Sequence, residues 1–184
     1  MTHFTAHTVE TAPEASKPLV EKSLKAFGRI PGLHAVMAES PVHLEAYQTL
    51  HRLFTQTAFN NDEQTVVWQT INVEHECHYC VPAHTMIANM MKVDPAITEA
   101  LRNETPLPSE KLEALRTFTL QVVRQRGAVS DDQMEAFFAV GYTRQHVLDV
   151  VLGLAQKVMS NYVNHMAQTP IDEVVKQFAW EKAS

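Results

Sequence analysis

The stretch DEQTVVWQTINVEHECHYCVPAH, residues 62–84, contains both cysteines of the 184-residue chain and two signals for helix boundaries. Asn60 and Glu63 have the spacing of a capping box, so a helix is expected to begin there. Pro82 cannot lie deep inside a helix, because it lacks the N–H group that bonds to the carbonyl four residues back. A second helix is therefore expected to begin within residues 76–81, and the cysteines then lie in or beside its first turn.

The rest of the chain repeats these helical signals. It contains only 5 glycines, and its apolar residues recur mostly at helical spacing rather than in alternation. Further capping signals are Ser40 before Pro41, Asp94 before Pro95, Ser130 with Gln133, and Thr169-Pro170 with Asp172. The sequence predicts an all-α, single-domain helical bundle of about eight helices over residues 15–184. Residues 1–14 are expected to form a flexible N-terminal segment.

A wide apolar stripe marks the segment from Arg144 to Gln168, which is expected to form a long, central helix. Its members are Val147, Val150, Val151, Leu154, Ala155, Val158, Met159, Tyr162 and Val163. Two interpretations of the stripe are open: it fills the core of one chain, or it contributes to an interface between subunits. The first is the commoner case for such a pattern.

Charge and hydropathy exclude several classes of partner. The chain has 15 basic and 21 acidic side chains, a net charge of −6, and no block of Lys and Arg that could neutralise phosphates. Nucleic acids and membrane surfaces are therefore not expected as partners. No secretory signal pattern is present, and no stretch reaches the roughly 20 apolar residues of a spanning helix. We expect a cytoplasmic protein, where a cysteine pair is more often catalytic or metal-binding than structural.

The two cysteines and a histidine have the spacing of a single site. On a helical wheel of about 100° per residue, Cys77, Cys80 and His84 project from one face, with Glu74 one turn earlier. A helix N-terminus favours a thiolate by only about 0.3–1 kcal/mol, and a shift of one pKa unit requires about 1.4 kcal/mol. The helix alone is therefore too weak to ionise a thiol at neutral pH. His84, four residues after Cys80, is positioned to act as imidazolium or as base.

Three interpretations compete for this cluster. A structural zinc site normally has four protein ligands, and the chain lacks a second cysteine pair. Two inert, buried cysteines would leave the histidine and its spacing unexplained. A redox dithiol is favoured, because cysteines three residues apart at a helix start can form a disulfide. A c-type haem is excluded because Val81, and not a histidine, follows Cys80. A thioredoxin domain is not expected, because the sequence lacks the βαβ pattern of that domain. No metal or cofactor is expected.

The pattern Glu74-x-x-Cys77-x-x-Cys80-x-x-x-His84 resembles the alkylhydroperoxidase D-like proteins of the carboxymuconolactone decarboxylase superfamily. Residues 62–84 are similar to the core signature of the peroxidase-related branch of that superfamily. GYTRQHVLDVVLGLAQKVMSNYVNHMAQTPID, residues 141–172, resembles its long helix that ends in an Asn-Tyr-x-Asn-His run. The resemblance extends over residues from about 30 to 173.

This resemblance implies a helical fold that assembles into homo-oligomers, commonly trimers or hexamers, and thiol-dependent reduction of hydroperoxides. It implies that Cys80 is the nucleophile, that Cys77 resolves the sulfenic acid to a disulfide, and that His84 and a glutamate relay protons. An external dithiol would then act as the reductant.

The chain departs from the pattern of this family at two positions. The best-known members have a glutamate where this chain has Thr65, and a histidine between the cysteines where it has Tyr79. Glu74 is our candidate for the relay acid, and Glu63 is the second. Alternatives are dithiol exchange without strong peroxidase activity, a lactone decarboxylase of the same superfamily, and a zinc-stabilised oligomer without enzymatic activity.

Overall fold

A computed structural model describes residues 3–182, and all the regular structure in this range is helical. Two short 3-10 helices occupy Glu14–Ser16 and Glu173–Phe178. The α-helices are α1 (Lys17–Phe27), α2 (Gly32–Met37), α3 (Pro41–Phe54), α4 (Asn61–Glu74), α5 (Cys80–Met90), α6 (Pro95–Arg102), α7 (Glu110–Arg124), α8 (Asp131–Ala139) and α9 (Arg144–Ala167). Eight of them have eight residues or more, which confirms the predicted all-α bundle of about eight helices.

Four of the predicted helix starts are confirmed by side-chain caps. Asn60 and Ser130 form capping boxes with the third residue of their helices, and Ser40 and Asp94 each accept a backbone N–H of the first turn. The predicted start at Thr169 is wrong. Asp172 does not cap an α-helix there, because its carboxylate accepts hydrogen bonds from Arg29 and Tyr79 instead.

The core is built around α4, which packs against α5, α6, α7 and α9. Every residue of α4 from position 63 to 73 is buried. Trp68 lies in the main apolar cluster, with Phe54 of α3 and Phe118 of α7. A second cluster between α1, α2, α3 and the start of α5 contains Cys77 and Cys80. The cysteines thus lie inside the fold, next to its most buried helix.

The face of α9 that points into the protein is unexpectedly polar. Its buried residues include Gln156, Lys157, Ser160, Asn161 and Asn164. Val151 and Tyr162, two members of the predicted apolar stripe, are 49% and 50% exposed. The interpretation that the whole stripe fills the core of one chain is therefore wrong, because two of its members are half exposed and polar side chains occupy much of the buried face.

The segment before the first helix contacts the rest of the protein. The backbone N–H of His7 donates to the carbonyl of Ala35, and Ala12 is buried. The predicted flexibility of residues 1–14 stays a prediction, and Met1 and Thr2 lie outside the described range. Between residues 3 and 182, every helix is too short or too polar to cross a lipid bilayer.

Gly153 offers a test of the packing of α9 against α3 and α4. A Cβ atom at this position would come within 2.6 Å of Phe54 Cε2 and 2.9 Å of Val67 Cγ1. Helix propensity alone favours alanine over glycine by about 1 kcal/mol, whereas overpacking a rigid core costs about 1–3 kcal/mol. We therefore expect Gly153→Ala to lower the free energy of unfolding by up to about 2 kcal/mol in denaturant titrations.

The exposed Ala155 provides the matched control on the same helix. Ala155→Gly reports helix propensity without packing and is expected to destabilise by up to about 1 kcal/mol. An increase in stability for Gly153→Ala would show that α9 does not approach α3 and α4 as closely as described.

Candidate active site

The two cysteines lie on either side of the start of α5. Helix α4 ends at Glu74, Glu76 has a left-handed backbone with φ +52°, and α5 begins at Cys80. The helix start within residues 76–81 is thus confirmed. The backbone N–H of Cys80 donates to Cys77 Sγ at 3.3 Å, and both side chains are buried. The turn therefore brings the two sulfur atoms together at a helix N-terminus.

Cys80 lies in an environment that stabilises its thiolate. Burial by itself raises the pKa of Cys80, but the Cys77 thiol, the positive charge of Lys157 and the amides of Asn164 and Asn161 lower it below the usual range. Asn164 Nδ2 donates to Cys80 Sγ at 3.2 Å. The hydrogen bond to Cys80 raises the pKa of Cys77, and burial adds to this. These surroundings therefore favour the thiolate at Cys80 and the thiol at Cys77.

Lys157 is the cation of this site. Its side chain is fully buried, and its Nζ lies 2.8 Å from His84 Nε2. Burial lowers the pKa of Lys157, and the charges of Cys80 and Cys77 oppose this. Burial, and then the charge of Lys157, hold the pKa of His84 well below its usual range. His84 is therefore neutral, and its Nε2 can accept an N–H of Lys157 when the ring proton is on Nδ1.

Cys80 faces a cavity of about 620 Å³, which is within the size range of small-molecule sites. Its inner wall is mostly apolar and includes Leu33, Tyr47 and Ala83, together with His84 and Lys157. Two further histidines line it, His34 and His51. Burial lowers the pKa of each to about 4, so both are neutral at pH 7. Cys80, although buried, therefore lies at the wall of a cavity of low polarity.

The comparison with solved structures identifies the fold. The structure is similar to the alkylhydroperoxidase AhpD core of an uncharacterised peroxidase-related protein from Ralstonia eutropha JMP134. The TM-score is 0.83 at 17% sequence identity, and the match covers 95% of this chain and 94% of the other. The chain has the AhpD-like fold. An uncharacterised peroxidase-related protein from Silicibacter sp. TM1040 is also similar, with a TM-score of 0.78, 16% identity and 95% coverage of both chains.

A third similar structure belongs to a protein with a different activity. It is a cysteine-to-alanine variant of the debrominase Bmp8 in complex with 2,3,4-tribromopyrrole, with a TM-score of 0.78 and 14% identity, over 96% of this chain and 95% of the other. No protein-family model matches the sequence, and no curated protein does either. At these identities the likeness establishes the fold and leaves the activity to the chemistry of the site.

The two glutamates considered as relay acids make other contacts. Glu74 accepts two hydrogen bonds from Arg124, at 2.8 and 2.7 Å, and these lower its pKa. Glu63 completes the cap of α4 and forms an ion pair with Lys111 at 3.1 Å. Neither carboxylate has a described hydrogen bond to a thiol or to His84. The catalytic role of Glu74 stays a prediction, as do the roles of the cysteines and His84.

Tyr79 occupies the position between the cysteines where the best-known members of the family have a histidine. Its hydroxyl donates to Asp172 at 2.6 Å and accepts the backbone N–H of Leu33 at 3.2 Å. Arg29 binds the same carboxylate at 2.6 Å. Tyr79 therefore ties the cysteine turn to the start of α2 and to the segment after α9.

Lys157 was missed by the sequence analysis, although a signal was present. Gly153, Lys157, Ser160 and Asn164 recur at helical spacing, so small and polar residues form a second stripe along the helix that carries the apolar one. Such a stripe normally faces water, and burial of this one is a tertiary effect.

Within residues 3–182, no cluster of three or more His, Cys, Asp or Glu side chains is arranged to hold a metal ion.

Replacing Lys157 tests the origin of the low thiol pKa. In a Cys77→Ser background, we expect Lys157→Met to raise the pKa of Cys80 and to slow its alkylation by iodoacetamide at pH 7 by about tenfold or more, since a shift of one unit changes the thiolate fraction about tenfold. The midpoint of the alkylation rate against pH should move upwards. Folding stability should fall, because methionine fills a similar volume but leaves His84 Nε2 and the charge of Cys80 without their buried partner.

The exposed Lys25, which does not line the cavity, gives the matched control. Lys25→Met should leave the alkylation profile where it is. An unchanged profile in Lys157→Met, with the protein still folded, would mean that another group stabilises the thiolate.

Proposed function

We propose that this protein is a thiol-dependent peroxidase that reduces organic hydroperoxides through Cys80 and Cys77. The observation that carries the proposal is the Cys80 thiolate, which faces an apolar cavity with a buried lysine on one side and a second thiol on the other. A thiolate is the reactive form of cysteine, and a neighbouring thiol can convert its oxidised form to a disulfide.

In the first step, Cys80 Sγ attacks the outer oxygen of a hydroperoxide ROOH. An S–O bond forms as the O–O bond breaks, which leaves Cys80 as a sulfenic acid and releases an alkoxide. Lys157, hydrogen-bonded to His84, supplies the proton that turns the alkoxide into an alcohol. In this buried site the ammonium group also stabilises the negative charge that develops on the leaving oxygen.

In the second step, Cys77 forms the disulfide. The neutral amine of Lys157 takes the Cys77 proton, and Cys77 Sγ attacks Cys80 Sγ and displaces the hydroxyl group. That hydroxyl leaves as water with the same proton. The two thiols together give up two electrons, and the peroxide becomes one alcohol and one water. An external dithiol then restores both cysteines by thiol–disulfide exchange.

The setting of the enzyme is part of the same proposal. A dithiol that must be reduced after each turnover suits the reducing cytoplasm.

We also propose a homo-oligomer, a trimer or hexamer, in which the exposed apolar residues of α9 are covered. Leu148, Val151, Tyr162 and Met166 are between 49% and 69% exposed, which is unusual for a monomer when such residues share one helix.

A second candidate function is thiol-dependent debromination, since one similar structure is that of a debrominase. The apolar cavity and the thiolate favour it. Cys80 would attack the bromine of an electron-rich ring, the C–Br electrons would pass to carbon, and Lys157 would protonate that carbon. Cys77 would then displace bromide from sulfur and form the same disulfide. Bromide release from 2,3,4-tribromopyrrole in the presence of a dithiol measures this activity directly.

Single-cysteine variants test the proposed peroxidase. With cumene hydroperoxide and dihydrolipoamide, we expect Cys80→Ser to lose turnover by at least about a thousandfold, because the nucleophile is absent. Cys77→Ser should consume one equivalent of peroxide and accumulate a sulfenic acid at Cys80. Dimedone should trap this acid as an adduct that mass spectrometry detects. The wild-type protein should lose both thiols to one equivalent of peroxide.

Other results would redirect the proposal. Full turnover by Cys80→Ser would exclude Cys80 as the nucleophile. The wild-type protein would be a dithiol oxidoreductase without peroxidase activity if two results were found together. Dihydrolipoamide would reduce its Cys77–Cys80 disulfide, and peroxide would leave both thiols of the reduced protein intact.

A further inference from the structure

The mouth of the cavity carries unpaired positive charge. Lys22 of α1 and Arg52 of α3 line it, and both are exposed. Arg29 also lines it but forms an ion pair with Asp172, the one carboxylate among the described lining residues. Lys22 and Arg52 have no ion pair with any carboxylate that the structure describes. In a chain of net charge −6, this pair of cations is a local reversal of sign.

Apolar side chains share the same mouth. Phe27 of α1 is 54% exposed, and Met90 of α5 is 73% exposed, although both line the cavity. Inside it, Leu33, Ala83 and Ile87 continue the apolar surface towards Cys80. The site therefore changes from cationic and apolar at the rim to apolar inside, which is the pattern that complements an amphipathic anion.

The size of the cavity argues against a minimal substrate. A water molecule occupies about 30 Å³ in the liquid. The cavity of about 620 Å³ therefore has room for roughly twenty waters, and hydrogen peroxide would fill little of it. An apolar ligand that fills the cavity is stabilised in proportion to the apolar surface it removes from water. A bulky organic molecule can therefore bind this site more tightly than hydrogen peroxide can.

We propose that the cavity binds an amphipathic hydroperoxide with a carboxylate group. Its apolar body fills the cavity, its peroxide group reaches Cys80, and its carboxylate lies at the mouth between Lys22 and Arg52. This proposal rests on the peroxidase function and specifies its substrate class. The carboxylate takes no part in the redox step, so the same bonds form and break as for a neutral hydroperoxide.

Two hydroperoxides of matched shape test the inference. Cumene hydroperoxide is neutral, and its analogue with a carboxylate on the ring differs mainly in charge. At low ionic strength, we expect the wild-type protein to favour the carboxylated substrate in kcat/KM by about three- to tenfold, which is the range of a few exposed ion pairs. The preference should lie in KM and should fall as salt is added.

The double variant Lys22→Gln/Arg52→Gln should bring the ratio of the two kcat/KM values close to one or reverse it. Lys25→Gln makes the same change in charge on the same helix, outside the cavity, and should keep the wild-type ratio. Equal kcat/KM values in the wild-type protein, or an unchanged ratio in the double variant, would overturn the inference and leave the peroxidase function intact.

A binding measurement separates this inference from the proposed function. Dodecanoate has the apolar chain and the carboxylate but no peroxide, and calorimetry can measure its binding to the wild-type protein. We expect binding that weakens at least about threefold in the double variant and is unchanged in Lys25→Gln. If neither hydroperoxide is consumed but dodecanoate binds in this way, the proposed peroxidase is wrong and the anion site stands. If dodecanoate does not bind, the anion site is wrong.

Discussion

The site depends on one buried pair of groups, the amine of Lys157 and the thiol of Cys80, each of which favours the charged form of the other. Each charge is unfavourable alone, because burial lowers the pKa of the lysine and raises that of the cysteine. Together they compensate each other in a region of low polarity, where attraction between opposite charges is much stronger than in water. The proton of Lys157 is therefore linked to the charge of Cys80. Once sulfur is oxidised and loses its charge, the lysine loses its partner and becomes a better acid.

The fold makes this pair possible by the way in which α9 is buried. Lys157, Asn161 and Asn164 come from the middle and end of that helix, whereas His84 and Cys80 come from α5. The amide of Asn161 also donates to Asn72 of α4 at 3.0 Å, which continues the polar network between the three helices. A polar stripe inside a helical bundle is tolerated only when its groups bind one another. Here most of them do so around Cys80, and Asn164 Oδ1 is the buried oxygen of this stripe that has no described partner.

The same arrangement is suited to more than one chemistry. A thiolate with a second thiol beside it can take a positively polarised atom from a substrate and then release that atom through a disulfide. The oxygen of a peroxide and the bromine of an electron-rich ring both meet that description. The choice between substrates therefore depends on the cavity, whose cationic mouth and apolar wall are formed mostly by residues outside the dithiol.

The sequence by itself determined the features that depend on neighbours along the chain. Capping at Asn60 and Ser130 and the helix start near Cys80 were predicted from spacing, because such hydrogen bonds join residues two or three apart. The pairing of Cys77 with Cys80 follows from the same short range. Only the tertiary structure decided that Lys157 is buried beside His84, 73 residues away, and that Glu74 binds Arg124, 50 residues away. A polar side chain on a helix has the same local sequence signal whether it faces water or another helix, so burial is decided by the packing of the helices and not by spacing.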